Sequence, residues 1–263
     1  MAVALSSAQA LDDALTAVAG DGQTAQELLA AAGLLDRDPF LRRALSDPAA
    51  PSEARRQVAG ALFRGRLSAA ALSLLQTAAG QSWPDGLALA RALERQGVRA
   101  VWLWAQAVGN LDRVMDELFT AGRLISQDPE LRRAVTDAAA AAAPRRELVR
   151  RLLAGRVEPQ TLVLAEHAAL NGHATFEDVV RRDLAQAGRL RGVEVAVATS
   201  ARPLSESQRV RLAAALTARA GRPVALEEVV DPAVVGGVKV ELGDEVIDGT
   251  LTARLGAARR HLT

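Results

Sequence analysis

The sequence predicts an α+β chain that is mostly α: two repeated helical-bundle units, followed by a small C-terminal α/β domain of order βαββα. Three observations carry that prediction. Up to about Arg189 the chain is rich in alanine, leucine and arginine and poor in runs of β-branched residues, which is the composition of helices. Within this region one stretch returns 90 positions later without a gap: Asp38–Leu67 and Asp128–Val157 share 14 identities in 30 positions. Even an alanine-rich chain gives only about three such identities by chance, so the helical region is read as a duplication. Beyond Arg189, short runs alternate β-branched and other residues with the two-residue period of half-buried strands. The expected domains are therefore 1–104, 105–190 and 191–263.

Taken in order, Ala8–Val18 and Thr24–Leu35 read as the first two helices. Asp38 is a good N-cap, and Pro39 then falls at the first helical position, where a missing N–H costs nothing; Asp128-Pro129 repeats the arrangement. Pro51-Ser52-Glu53 opens another helix with Ser52 as cap, and Gly65 and Gly155 stand where a C-terminal glycine ends one. Leu67, Ala71, Leu74 and Leu75 follow at helical spacing, and Pro159, Leu162, Leu164 and His167 do the equivalent in the second copy. Asp85–Gln106 reads as a long helix connecting the copies, with Gly97 as the place where it can break, and Val98–Ile125 supplies the opening helices of the second copy. In the last domain Val193, Val195 and Val197 alternate with Glu194, Ala196 and Ala198. A helix capped by Ser205 follows and ends near Gly221, and a second strand, Val224–Val230, is placed parallel to the first. Leu251, Leu255, Ala258 and Leu262 share one face of a closing helix.

Composition excludes several kinds of chemistry. The formal charge is +1, without the cationic excess that a nucleic-acid partner needs. There is no cysteine, hence no disulfide and no thiolate metal site. The longest uncharged run, Leu67–Pro84, is broken by serine, glutamine, threonine and glycine, so it reads as a buried helix. Met1–Leu5 lacks the charged head and apolar core of a signal peptide, and the expectation is a soluble, cytosolic chain. The single lysine, Lys239, follows valine in a strand, so no Walker-type loop exists. His167 and His173 are six apart, which does not place two metal ligands on one helix face; both read as structural or surface residues, and His261 as solvated. No Gly-x-Ser-x-Gly elbow or triad spacing occurs. No catalytic, cofactor-binding or metal-ligating residue is expected.

The most specific stretch is Val229–Leu251, together with the strand Val224–Val230 that leads into it. A β-branched run is stopped by Asp231-Pro232, because proline donates nothing to a ladder. Gly236-Gly237 then permits a backbone path that side chains would block. Val238, Val240 and Leu242 alternate with Lys239 and Glu241, Gly243-Asp244 fits a hairpin turn, and Asp248-Gly249-Thr250 opens the final helix. With Val224, Leu226, Val230, Asp231, Val234, Gly236, Gly237, Val238, Val240, Gly243, Asp248 and Gly249 at these spacings, the stretch resembles the C-terminal signature of the delta subunit of F-type ATP synthase, the oligomycin-sensitivity-conferring subunit in mitochondria. The duplicated helical region resembles the long form found in actinobacteria. Every one of these residues has a folding task, so the signature marks a family and not an active site.

The resemblance implies a stator subunit that performs no chemistry and binds neither nucleotide nor cofactor. It implies a helical domain that grips N-terminal helices of alpha subunits and a C-terminal domain that holds the C-terminal helix of the b-subunit stalk. It further implies a peripheral protein on the cytoplasmic side of the bacterial cell membrane. Trp102 and Trp104, two apart on a helix, point different ways; one is expected in the core and the other is a candidate partner anchor, the alternative being that both pack between the two repeats. The competing reading is a helical adaptor unrelated to ATP synthase.

Overall fold

The computed structural model describes residues 2–18, 20–136, 141–192, 194–221, 223–234, 236–242 and 245–248. They fall into two compact units divided between Asp183 and Leu184. The first unit holds ten helices and the start of an eleventh: α1 Ala2–Thr16, α2 Gly22–Arg37, α3 Pro39–Ser46, α4 Ser52–Phe63, α5 Ala69–Gly80, α6 Gly86–Ala107, α7 Leu111–Gln127, α8 Pro129–Thr136, α9 Ala142–Leu153, α10 Pro159–Leu170 and α11 Phe176–Leu190.

The 90-residue offset runs through these bounds: α3 starts at Pro39 and α8 at Pro129, α4 at Ser52 and α9 at Ala142, α5 at Ala69 and α10 at Pro159, α6 at Gly86 and α11 at Phe176. Applied to α1, the same offset lands on 92–106, inside α6. The sixth helix of the first copy is therefore also the first helix of the second. The expected boundary at 104/105 falls within this helix, and α6 is no mere connector. It packs against α1, α2, α3 and α5 on one side of the repeat and against α7 and α10 on the other. Such a helix must be apolar around most of its circumference. Leu89, Leu93, Val98, Val101, Trp102 and Ala105 are all buried. Nor does α6 break at Gly97. A Cβ there would lie 2.7 Å from Leu29 Cδ2 and 3.0 Å from the Leu29 backbone nitrogen, so the glycine lets α2 and α6 approach closely.

Local chemistry sets the helix ends. Asp38 accepts from the amides of Phe40 and Leu41 at 2.9 and 3.0 Å, and Asp128 from those of Glu130 and Leu131 at 2.9 and 3.1 Å. Gly65 and Gly155 take φ of 76° and 74° just past α4 and α9, a conformation that costs glycine little. Ser52 is not a cap: α4 begins at Ser52, and Pro51 holds the cap position without a side-chain bond. The second helix starts earlier than Thr24, because Asp21 caps it through the Thr24 amide at 2.6 Å.

The second unit contains β1 Glu194–Ser200, α12 Glu206–Ala220, β2 Val224–Val230, β3 Val238–Leu242 and β4 Glu245–Asp248. The sheet order is β2-β1-β3-β4, with β1 parallel to β2 and antiparallel to β3. The hairpin supplies two strands, so the described order is βαβββ and not βαββ; the final helix, the Gly243-Asp244 turn and Gly249 lie outside the described residues. Ser205 and Gln208 form a reciprocal capping box at the start of α12. On β1 the fully buried residues are Ala196 and Ala198, while Val195 and Val197 are half-buried. The small side chains leave room for Leu212 and Leu216 of α12 to fill the layer between helix and sheet.

Candidate functional site

The signature stretch builds a strand crossing. Strand β2 ends on one side of β1, and β3 begins on the other, so residues 231–237 must carry the chain past the end of β1. Asp231 fixes that passage: its amide donates to the carbonyl of Ser200, the last residue of β1, at 2.9 Å, and its carboxylate accepts from the Ala233 amide at 2.9 Å. Gly236 and Gly237 then take φ of 64° and 85°, values that side-chain-bearing residues seldom adopt. Val224, Leu226, Val238 and Val240 face the core beneath α12, Val234 is half-buried, and Val230 is exposed at the strand end. Asp248 closes β4 opposite Lys239. Across the sheet, Glu228 accepts from the Leu204 amide and from Arg209 at 2.9 Å, tying β2 to the entry of α12.

In the helical unit, two residue pairs related by the 90-residue offset tie helices together. Arg55 is 5% exposed and donates to five carbonyls: Ala79 at 2.8 Å, Asp47 at 3.0 Å, Ala50 at 2.5 Å, Gly80 at 3.3 Å and Gln81 at 2.9 Å. Those carbonyls end α5 and line the turn between α3 and α4, where the backbone lacks helical partners. Its counterpart Arg145 is equally buried and reaches the Asn171 carbonyl at 3.2 Å. The second pair is Glu27 and Glu117. Glu27 Oε2 accepts from the Ser68 amide at 2.7 Å, and Glu117 Oε2 from the Glu158 amide at 2.7 Å. Burial pushes both carboxyls up, but hydrogen bonds from Ser68 and Gln23, and from Glu158, Thr161 and Arg113, hold them below the ordinary glutamate value. Arg55 and Arg145 are among the identities of the repeated stretch; Glu27 and Glu117 lie before it and share only the same 90-residue offset.

A third grouping was missed. His167 on α10 lies 3.3 Å from Glu94 on α6, and Asp183 on α11 is buried nearby. His167 is thus not a surface residue. His173 is, and it pairs with Asp36 at 3.2 Å. Trp102 is 0% exposed and belongs to the core, which removes it as a partner anchor. Trp104 is half-buried, and its ring lies over Gly22 at the start of α2. Among the described residues no group of three or more histidines and carboxylates is placed to hold a metal ion, and no helix is long and apolar enough to cross a membrane. Open surface depressions lie beside Glu206–Arg211 and between α3 and the start of α6.

In this geometry the ordered polar side chains hold helix ends and a strand crossing. A family model described as ATP synthase delta (OSCP) subunit matches residues 95–262, beginning inside the shared helix α6. The chain belongs to the ATP synthase delta (OSCP) subunit family. It is 38% identical over 262 residues to ATP synthase subunit delta of Cutibacterium acnes, covering 100% of both chains. It is 43% identical over 243 residues to the subunit of that name from Parafrankia sp., covering 91% of this chain and 86% of the relative. It is 40% identical over 266 residues to that of Nocardioides sp., covering 98% and 96%. The delta-subunit role follows, and the unrelated-adaptor reading is not favoured.

Proposed function

We propose that this delta subunit is the non-catalytic stator link of its ATP synthase. The helical unit holds N-terminal helices of alpha subunits, and the sheet unit holds the C-terminal helix of the b-subunit stalk, at the cytoplasmic side of the membrane. The observation that supports this most is the division into two separately cored units on one continuous chain, which passes from one to the other along α11. A connector under torque needs two holding places and no reaction centre, and helix-in-groove contacts can supply holding force over a wide area. Trp104, the half-buried member of the tryptophan pair, is the aromatic side chain proposed for the alpha-subunit contact.

The test is affinity purification of the tagged chain from native membranes with subunit identification by mass spectrometry. Recovery of alpha, beta and b subunits together is expected. Deleting 191–263 should lose b and retain alpha; loss of alpha with b retained would reverse the assignment of the two units. Trp104→Ala should weaken alpha recovery without altering b.

A further inference from the structure

The second helical copy contains a buried ionisable junction that the first copy does not have. His167 Nε2 of α10 lies 3.3 Å from Glu94 Oε1 of α6. The same oxygen receives Arg182 Nη2 of α11 at 3.0 Å and Asn171 Nδ2 at 3.2 Å. Asp183, the next residue of α11, is 2% exposed; its Oδ1 is 3.9 Å from Arg182 Nε, and its Oδ2 is buried with no hydrogen-bond partner. Ninety positions earlier stand Thr77 for His167 and Leu93 for Asp183, and Leu93 is a fully buried core residue. The second copy thus sets a carboxylate where the first packs a leucine. A buried carboxylate is costly unless opposite charge accompanies it.

We propose that Glu94, His167 and Asp183 form a pH-responsive clasp that seats α11 on α10 and α6, closed while His167 carries a proton and loosened when it loses it. Without that proton, two carboxylates share Arg182 alone, whose side chain is 55% exposed and so is well screened by water. The neighbouring charges are engaged elsewhere. On α9, Arg150 and Arg146 face Glu166 at 2.7 and 4.0 Å; on α7, Glu117 is held by Glu158, Thr161 and Arg113; on α2, Asp36 pairs with His173. On α11 itself, Asp178 is bonded to Thr175 and Arg181.

The direction of the response follows from the same contacts. Burial pushes His167 down, but the Glu94 carboxylate 3.3 Å from its Nε2 and the charge of Asp183 hold it above the ordinary histidine value. Burial pushes Asp183 up to about 6. A group whose folded value is raised stabilises the fold below its unfolded value and loses that stabilisation as pH rises through the folded one. Both groups therefore weaken the clasp on the alkaline side, Asp183 through about 6 and His167 above 6.5. Glu94 acts oppositely and at lower pH: burial raises it, but His167, Arg182 and Asn171 hold it below 4.5.

The test uses the full chain and a double variant, His167→Thr with Asp183→Leu, which installs the residues of the first copy. Between about pH 6 and about pH 8.5, the unfolding midpoint of the wild type should fall by about 2–5 °C relative to the double variant. Hydrogen exchange in 176–183, corrected for the intrinsic rate, should rise over the same range in the wild type alone. Parallel midpoint curves would overturn the proposal. So would an imidazole titration by NMR, assigned with His173→Gln and His261→Gln, in which His167 of the folded wild type titrates at or below 6.5. That measurement does not need the double variant to fold, and neither depends on any partner subunit.

Discussion

Arg55→Met should destabilise the first unit by about 3–4 kcal/mol, the range for removing one partner of a buried charged network. The figure is bounded from both sides by the structure. Five donor contacts to carbonyls, at a net 1.5–3 kcal/mol each for a charged group, would sum to roughly 7–15 kcal/mol if they were independent. They are not, because one rigid guanidinium makes all five and the freed carbonyls can recruit water. Methionine preserves the apolar stem, so most of the loss is electrostatic. In a unit of this size the shift is about 6–15 °C in midpoint. Arg55→Lys should recover only part, since an ammonium cannot reach both the α5 carbonyls and the turn carbonyls of Asp47 and Ala50. All three tryptophans, Trp83, Trp102 and Trp104, lie before Asp183, so urea unfolding followed by indole fluorescence reports the helical unit alone. A loss under about 1 kcal/mol for Arg55→Met would refute the idea that the arginine is a structural hub.

Gly97→Val should cost about 1–3 kcal/mol by overpacking against Leu29, measured by urea midpoint, whereas a flexible hinge at this position would tolerate it. Glu117→Gln should lower the urea midpoint at neutral pH and converge with the wild type in acid. The wild-type carboxyl is held below 4.5, so its stabilisation is present above that value and is lost as pH falls through the folded one. Gly237→Ala, placed at φ of 85°, should cost the sheet unit about 1–2 kcal/mol, read as faster hydrogen exchange in β3 with no change in tryptophan fluorescence.

Local chemistry was legible in the sequence where it is written in neighbouring residues. Asp38-Pro39 and Asp128-Pro129 announced helix starts, Gly65 and Gly155 helix ends, and Gly236-Gly237 a backbone path closed to other residues. What was not legible depends on which faces meet. Gly97 has the same sequence signature whether it breaks a helix or admits Leu29, and only the crossing of α2 over α6 decides. The alternation on β1 marks two faces without saying which is inward; the helix side takes Ala196 and Ala198 and not the larger Val195 and Val197, because space and not apolarity is limiting under α12. The clasp residues are separated by 73 and 16 positions and come from three helices, so no local pattern joins them. Comparing the two copies position by position could have exposed them: Asp183 replaces a core leucine, which in a packed bundle demands a compensating charge.

The shared helix also changes what the duplication can do. Two bundles joined by a linker could move independently, and removing one would leave the other whole. Here residues 92–106 must satisfy both copies at once, which is why α6 buries Val98, Val101 and Trp102 within a single helix of 22 residues. About 33 Å of continuous backbone hydrogen bonding then connects the two sets of neighbours, with no loop to bend under load. Removing the first copy would strip α6 of α1, α2, α3 and α5 and leave its apolar residues facing water. The first copy is therefore part of the structural support of the second, and load applied to one is carried to the other through packed side chains on a common helix.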